Sequence, residues 1–457
     1  MLNFLVYFAL FFFGVFVENA YAYLDPGTSS LLLSSVVAIF ASIIFAIKGF
    51  FYKIASGAGF SLFHRQTKTN NGIVIYSEGR QYFSVFKPIV DVFEKLNYPY
   101  TYYTSDEKDP ILEFKTELGH IEFIGSANHA YRKLNNLVAD VCLVTFPQLN
   151  VLQIKRSQGV KHYCHIMHSF QPLDTYEVFA LDYFDSVFVH ADINHAFIRE
   201  VEEIRHLKPK QLTIIGSTYL DFLNNKLQAQ NFQKPSTNPP TILVAPSWNR
   251  NSLFARYGMR LLKPLLDIGY PVIIRPHPQT FISQAELLES LKAQTAHYTN
   301  LKWDSRTDNI FAMAESNILI GDFSGVLCDF TMLFDRPVLT LDFPFNTIGY
   351  DLEDTSRTEP LFATYLPEIS TPITEADFPN LKGIIDSALT DTKKAQSRAA
   401  AKARLWQYQG QGGERAAYEL LKIHKEILEE SLGVQRETLQ RIEFIHSKLQ
   451  ALAVKTA

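Results

Sequence analysis

Cysteine is scarce: there are three in 457 residues. Cys142, Cys164 and Cys328 lie in apolar runs without C-x-x-C spacing, which excludes a disulfide framework or a thiolate zinc site and fits a reducing compartment. An excess of positive charge is also missing, because 43 Lys and Arg stand against 47 Asp and Glu for a net charge of −4. The chain therefore lacks a global basic field to hold nucleic-acid phosphates, and no nucleic-acid partner is expected. No carboxylate cluster has metal-ligand spacing, so no metal is expected. No repeat of solenoid period is present. Apolar residues are plentiful, at 47%, so the chain is too apolar for disorder and too long for one ordinary domain.

The longest uncharged apolar runs lie at the front, and residues 1–60 read as a signal or transmembrane region. The first run lacks a basic n-region and reaches Ala20-Tyr21-Ala22, the small-x-small form of a signal-peptidase site, so a cleaved signal and a retained span are both open. The second, Leu31–Ile47, carries no charge and is close to the ~20 residues that cross a bilayer. Lys48, Lys53, Arg65 and Lys68 follow it, whereas Glu18 and Asp25 precede it. By the positive-inside rule this places the rest of the chain on the cytoplasmic side of the inner membrane.

From Asn71 onward, short β-rich runs alternate with helix-length amphipathic ones, the pattern of a parallel sheet with crossover helices. Strands are expected at Gly72–Ser77, Tyr98–Thr104, Ile121–Ser126, Ala139–Phe146, Lys161–Met167, Asp185–Ala191 and Leu212–Ser217, forming a Rossmann-like domain over 71–228. The polar, proline-bearing stretch Asn224–Pro240 reads as a linker. A second Rossmann-like domain over 240–395 follows, with strands at Thr241–Ser247, Pro271–His277, Asn300–Ser305, Asn317–Asp322 and Pro337–Phe343. Residues 396–457 are expected to be helical and to pack as an amphipathic element. The fold class is α/β, two Rossmann-like domains facing across a cleft, with a ligand outside the carboxyl ends of the strands.

The motifs fall at those strand ends. Arg275 and His277 stand just past an expected strand, with Pro276 and Pro278 presetting the backbone on either side of the imidazole. Asp322, Ser324 and Gly325 form a polar turn between a strand and a helix, where unpaired N–H groups and the positive dipole end stabilise an anion, most simply a phosphate. The plainer reading of Asp322 and Ser324 is a helix cap, and that of His277 a structural histidine. In the first domain His168 follows a buried strand and precedes a turn, placed to take a proton from an attacking hydroxyl. His165 on the same strand reads as structural. Arg80, after the first strand, reads either as an acceptor-phosphate contact or as part of a solvated loop.

Taken in order, His168 in a His-Ser-Phe-Gln-Pro turn, Gly216–Asp221, Ile242–Ser252, Arg275–Pro278, Asp308–Phe343 and Gly410–Ala416 resemble the CDP-glycerol glycerophosphotransferase family, the teichoic-acid and capsule polymerases and primases. The resemblance implies a GT-B-like fold and transfer of glycerol phosphate, or a related polyol phosphate, from a CDP-activated donor to an acceptor hydroxyl of a cell-envelope glycan or lipid-linked acceptor, releasing CMP. It implies that His168 is the general base and that Arg275, His277, Asp322, Ser324 and Gly325 hold the donor phosphates. Ser247 and Arg250 match the family's A-P-T-W-R segment with one residue inserted before the arginine. No cofactor beyond the CDP-polyol is implied. Around His168 the chain departs from the family pattern: Met167 replaces Trp, Ser169 replaces Gly, and Asp174 stands near a usual lysine. Two other readings stay open, a UDP-sugar glycosyltransferase or epimerase-like enzyme on the same fold and a non-catalytic scaffold in polysaccharide assembly.

Overall fold

The computed structural model describes residues 72–456 except 171, 231, 233, 234, 237, 307 and 342–347, with side chains to 443. The membrane segment expected within 1–60 lies outside these residues; among those described, no helix is long and apolar enough to cross a membrane.

Two parallel sheets carry the fold. The first has seven strands, β1 (Ile73–Ser77), β2 (Tyr100–Thr104), β3 (Gly119–Phe123), β4 (Val138–Val144), β5 (Gly159–Ile166), β6 (Ser186–Val189) and β7 (Gln211–Ile214), in the order β3-β2-β1-β4-β5-β6-β7. The second has six, β8 (Ile242–Ala245), β9 (Val272–Ile274), β10 (Leu301–Trp303), β11 (Ile318–Gly321), β12 (Val338–Leu341) and β13 (Thr371–Ile373), in the order β10-β9-β8-β11-β12-β13. Continuous apolar runs such as Ile73–Tyr76 form strands buried on both faces, because helices cover a parallel sheet on either side. In each sheet the order reverses beside the first strand, between β1 and β4 and between β8 and β11. Those are the points where a crevice opens outside the carboxyl ends.

Three details depart from expectation. β3 begins at Gly119, before the expected Ile121. β13 was not anticipated: it is three residues long and contains Pro372, which only an edge strand tolerates. The expected linker starts late, because the helix Thr218–Ala229 runs into it. Ser217 caps that helix by accepting from Leu220 N at 3.2 Å, and Leu220 and Leu223 bury one face, so the polar residues from Asn224 onward are its solvated side.

The last helix, Gly412–Thr456, does not stand apart. Ala416, Ala417, Leu420 and Ile423 enter the core of the first sheet with Ile73, Phe86 and Ile89. His424 bonds Asp140 Oδ2 at 3.0 Å through Nε2 and the Tyr98 hydroxyl at 2.5 Å through Nδ1. The late glycine-rich turn makes this docking possible. A Cβ on Gly413 would come within 2.6 Å of the Pro88 carbonyl, so only hydrogen fits there. Asp221 holds the turn, its two carboxylate oxygens accepting from Gly410 N at 2.6 Å and Gly412 N at 2.7 Å. Asp221→Ala would strand the buried Gly412 N–H and free the more exposed Gly410 N–H; we expect about 1–3 kcal/mol lower stability, read by urea unfolding, with loss of the last helix preceding global unfolding.

Candidate functional site

A cleft of about 510 Å³ opens at the switch point of the second sheet, where Ala245 and Gly321 pair at the carboxyl ends of β8 and β11. Gly321 sits at a close approach, where a Cβ would lie 2.6 Å from Leu327 Cδ2 and 3.2 Å from the Ala245 carbonyl. With glycine there, the helix Val326–Phe334 seats closely on the sheet and directs its N-terminus into the cleft. Ser324 and Gly325, at the start of that helix, line the space.

Asp322 lines it too, but its oxygens are engaged. Oδ1 accepts from Ser247 N at 2.9 Å and Oδ2 from Leu253 N at 2.8 Å, so the carboxylate braces the loop after β8 against the turn after β11. Burial raises its pKa against the pull of these bonds. A phosphate would be repelled by this group, and the cradle is shaped by it rather than made of it.

His277 enters from the loop after β9. Its Nδ1 accepts from Gln279 N at 3.1 Å, which leaves Nε2 as the protonated nitrogen of a neutral ring. Burial lowers its pKa, so at neutral pH it is an uncharged donor. Trp248 stacks beside it with ring centroids 6.3 Å apart and 29° between planes, and is 41% exposed to the cleft. Neither Arg275 nor Arg250 lines the cleft. The Arg275 guanidinium bonds the buried Asp304 at 2.5 Å, and Arg250 lies exposed in the loop after β8.

The opposite wall comes from the first domain, through Phe170, Pro172 and Thr175 after β5. His168 is half-buried and is not among the residues that line the cleft. Its ring meets the edge of Tyr82 at 5.1 Å and stacks on Tyr176 at 6.3 Å, and burial holds its pKa down to about 4. His165 is fully buried between Tyr176 and Phe184. Arg80 makes a bidentate pair with Asp106, at 2.5 and 2.6 Å. Among the described residues no three His, Cys, Asp or Glu side chains gather to hold a metal ion.

Residues 60–421 match the family described as CDP-glycerol:poly(glycerophosphate) glycerophosphotransferase. The chain belongs to this family, and it is an enzyme of the CDP-glycerol glycerophosphotransferase type. Its fold is similar to that of the wall teichoic acid polymerase TagF, with a TM-score of 0.54 and 17% identity over 86% of this chain and 98% of that one. A histidine-to-asparagine variant of TagF soaked with CDPG is similar to the same degree, at a TM-score of 0.55 and 16% identity over 86% and 98%. The UDP-GlcNAc 2-epimerase of Methanocaldococcus jannaschii shares the fold at a TM-score of 0.50 and 14% identity over 77% of this chain and 99% of that one. No curated protein sequence matches significantly.

Within this glycerophosphotransferase the departure at Asp174 has a structural reason. Its Oδ2 accepts from Leu361 N at 2.6 Å, so it caps the helix Leu361–Ile369 of the second domain from the first. Burial pushes this carboxyl up to about 6. The backbone at Gly325 does not call for glycine. Its φ is −55° and a Cβ there would meet nothing within 4 Å, so no close turn demands a glycine. The segment carrying Ile348, Tyr350, Phe362 and Tyr365 completes the cleft and bore no motif, because its residues are ordinary apolar and aromatic ones placed only by folding. Gly325→Ala should fold normally and gain about 0.4–1 kcal/mol. Asp322→Ala should lose about 2–4 kcal/mol by freeing two loops; urea unfolding of both variants checks the pair.

Proposed function

We propose that this glycerophosphotransferase is anchored in the cytoplasmic membrane through residues 1–60 and moves glycerol phosphate, or a related polyol phosphate, from a CDP-activated donor to a hydroxyl of a cell-envelope acceptor, releasing CMP. The observation that carries the reading is the convergence, in one cleft, of a helix N-terminus at Ser324 and Gly325 with a neutral His277 donor. That pairing suits a diphosphate, because both groups offer N–H to oxygen and neither adds a mobile charge. The exposed face of Trp248 offers a platform for a nucleobase, and TagF, which shares the fold, was soaked with CDPG.

In the reaction the acceptor oxygen attacks the phosphorus that carries the glycerol, and the bond from that phosphorus to the CMP oxygen breaks in line. Charge spreads to the leaving CMP, where the helix dipole and the His277 N–H oppose it. The hydroxyl proton leaves on the side of the first domain, where the sequence resemblance puts His168. The domains supply orientation, one holding the donor and the other presenting the acceptor.

CDP-glycerol should raise the melting temperature of the purified full chain, and UDP-sugars should not. His277→Ala should weaken CDP-glycerol binding about 10- to 100-fold, the loss of one hydrogen bond to a charged group. Equal stabilisation by a UDP-sugar, or binding unchanged in His277→Ala, overturns the reading.

A further inference from the structure

The last helix carries a face that no other described residue covers. Over Ala416–Ile423 it packs into the core of the first sheet, but from Leu432 to Glu443 every residue is exposed. The match to the family ends at residue 421, so this outer part lies beyond it. A helix with no packed face is marginal in water, because most helical stability comes from tertiary burial rather than from propensity. Gly433 lowers the propensity further, and a Cβ there would meet nothing within 4 Å, so no contact requires the glycine. The exposed apolar residues are not scattered. Leu428, Leu432, Leu439 and Ile442, between 44% and 60% exposed, fall with Gln435 at spacings of four, three, four and three. That is a heptad seam, with Leu432 and Leu439 at a and Leu428, Gln435 and Ile442 at d, the pattern of a helix that pairs with another helix. The sequence carries the register on, with His446 and Ala453 at a and Leu449 at d.

Charge decides what covers the seam. From Lys425 to Glu443 five glutamates stand against two arginines and one lysine, so the segment lacks the basic character that holds an amphipathic helix to an anionic lipid surface. The same charges complement a second copy of this helix in one orientation. In an antiparallel pair each e position faces an e position of the partner helix, and Glu429, Arg436 and Glu443 are the e residues. With the pair centred between Leu439 and Ile442, Arg436 of each copy faces Glu443 of the other and Leu439 meets Ile442. The polar core positions Gln435 and His446 then fall opposite one another, and the helices overlap from Leu428 to Ala453. A shift of half a heptad sets Arg436 against Arg436 and Glu429 against Glu443. A parallel pair faces these charges with the neutral Ser431 and Thr438.

We propose that the outer part of the last helix, from Leu428 onward, is a dimerisation arm that pairs with the same arm of a second copy of this chain as an antiparallel coiled coil. Leu432, Leu439 and Ile442 supply the buried seam, and Arg436 and Glu443 set its direction and register. Pairing removes the apolar stripe from water and gives the exposed helix the packed face that it lacks alone. A second copy satisfies both requirements at once, because a two-fold axis repeats every complementary contact. The proposal is independent of the transferase reading, since no residue of the arm lines the cleft.

The test measures the mass of the purified full chain in neutral detergent by light scattering, with the detergent subtracted, across micromolar concentrations. The wild type should be a dimer. Leu439→Glu combined with Ile442→Glu, both at exposed positions, should weaken pairing about 100-fold or more and give a monomer with an unchanged urea midpoint. Arg436→Glu alone should weaken pairing about 5- to 30-fold, since two symmetric contacts turn repulsive, and adding Glu443→Arg should restore it. That rescue reads the antiparallel register, because a parallel pair brings the two positions nowhere near each other. A monomeric wild type, a dimer that survives Leu439→Glu with Ile442→Glu, or pairing indifferent to the charge reversals overturns the proposal. A monomeric wild type whose arm becomes resistant to trypsin on phosphatidylglycerol vesicles overturns it in favour of a membrane surface.

Discussion

Arg205 is the residue on which the relation between the two sheets depends. Its guanidinium is 9% exposed and bonds Asp182 and Asp351 at 2.7 Å and Asp354 at 2.6 Å. Asp182 belongs to the first domain, whereas Asp351 and Asp354 belong to the second. A cation so enclosed keeps its proton firmly, since three carboxylates more than offset the desolvation that opposes it. The same segment of the second domain is pinned by Phe179 N on Asp351 at 2.8 Å, by an antiparallel bridge between Glu177 and Tyr350, and by Glu200 on Ser356 and Arg357. Ile348 and Tyr350, at the cleft, lie on this segment. The ionic cluster therefore helps to fix the width of the cleft between the two sheets.

Buried carboxylates act as fasteners in this molecule. Asp221, Asp322 and Asp174 each point at backbone N–H groups and fasten one piece of chain to another, a turn to a helix, a loop to a loop and one domain to the other. Each bond is charge-assisted and mostly out of water, so each is worth more than a surface ion pair. The cleft of the second domain shows the complementary economy of charge: a helix end and a neutral imidazole line it, while the neighbouring arginine is bound to Asp304.

Sequence reading captured the strands because parallel strands buried on both faces leave continuous apolar runs, as at Ile73–Tyr76 and Ile242–Ala245. It singled out His277 and Ser324, both of which line the cleft, because strand ends are where a parallel sheet exposes polar loops. It went astray where a residue's task is set by a distant partner. The polar end of the helix Thr218–Ala229 looked like a linker because its partners lie on the other face, and β13 was too short to leave a period.

By itself, then, the sequence determined two parallel α/β units, the order of their strand-end turns and a helix start at the turn after Gly321, all of which follow from local pattern and chain direction. Only the tertiary structure decided that Asp322 braces two loops, that the last helix completes the first domain through Gly413 and Pro88, and that His168 packs between the rings of Tyr82 and Tyr176. These are contacts between residues far apart in the chain, and no local period or motif encodes which carboxylate will find an N–H partner after folding and which will not.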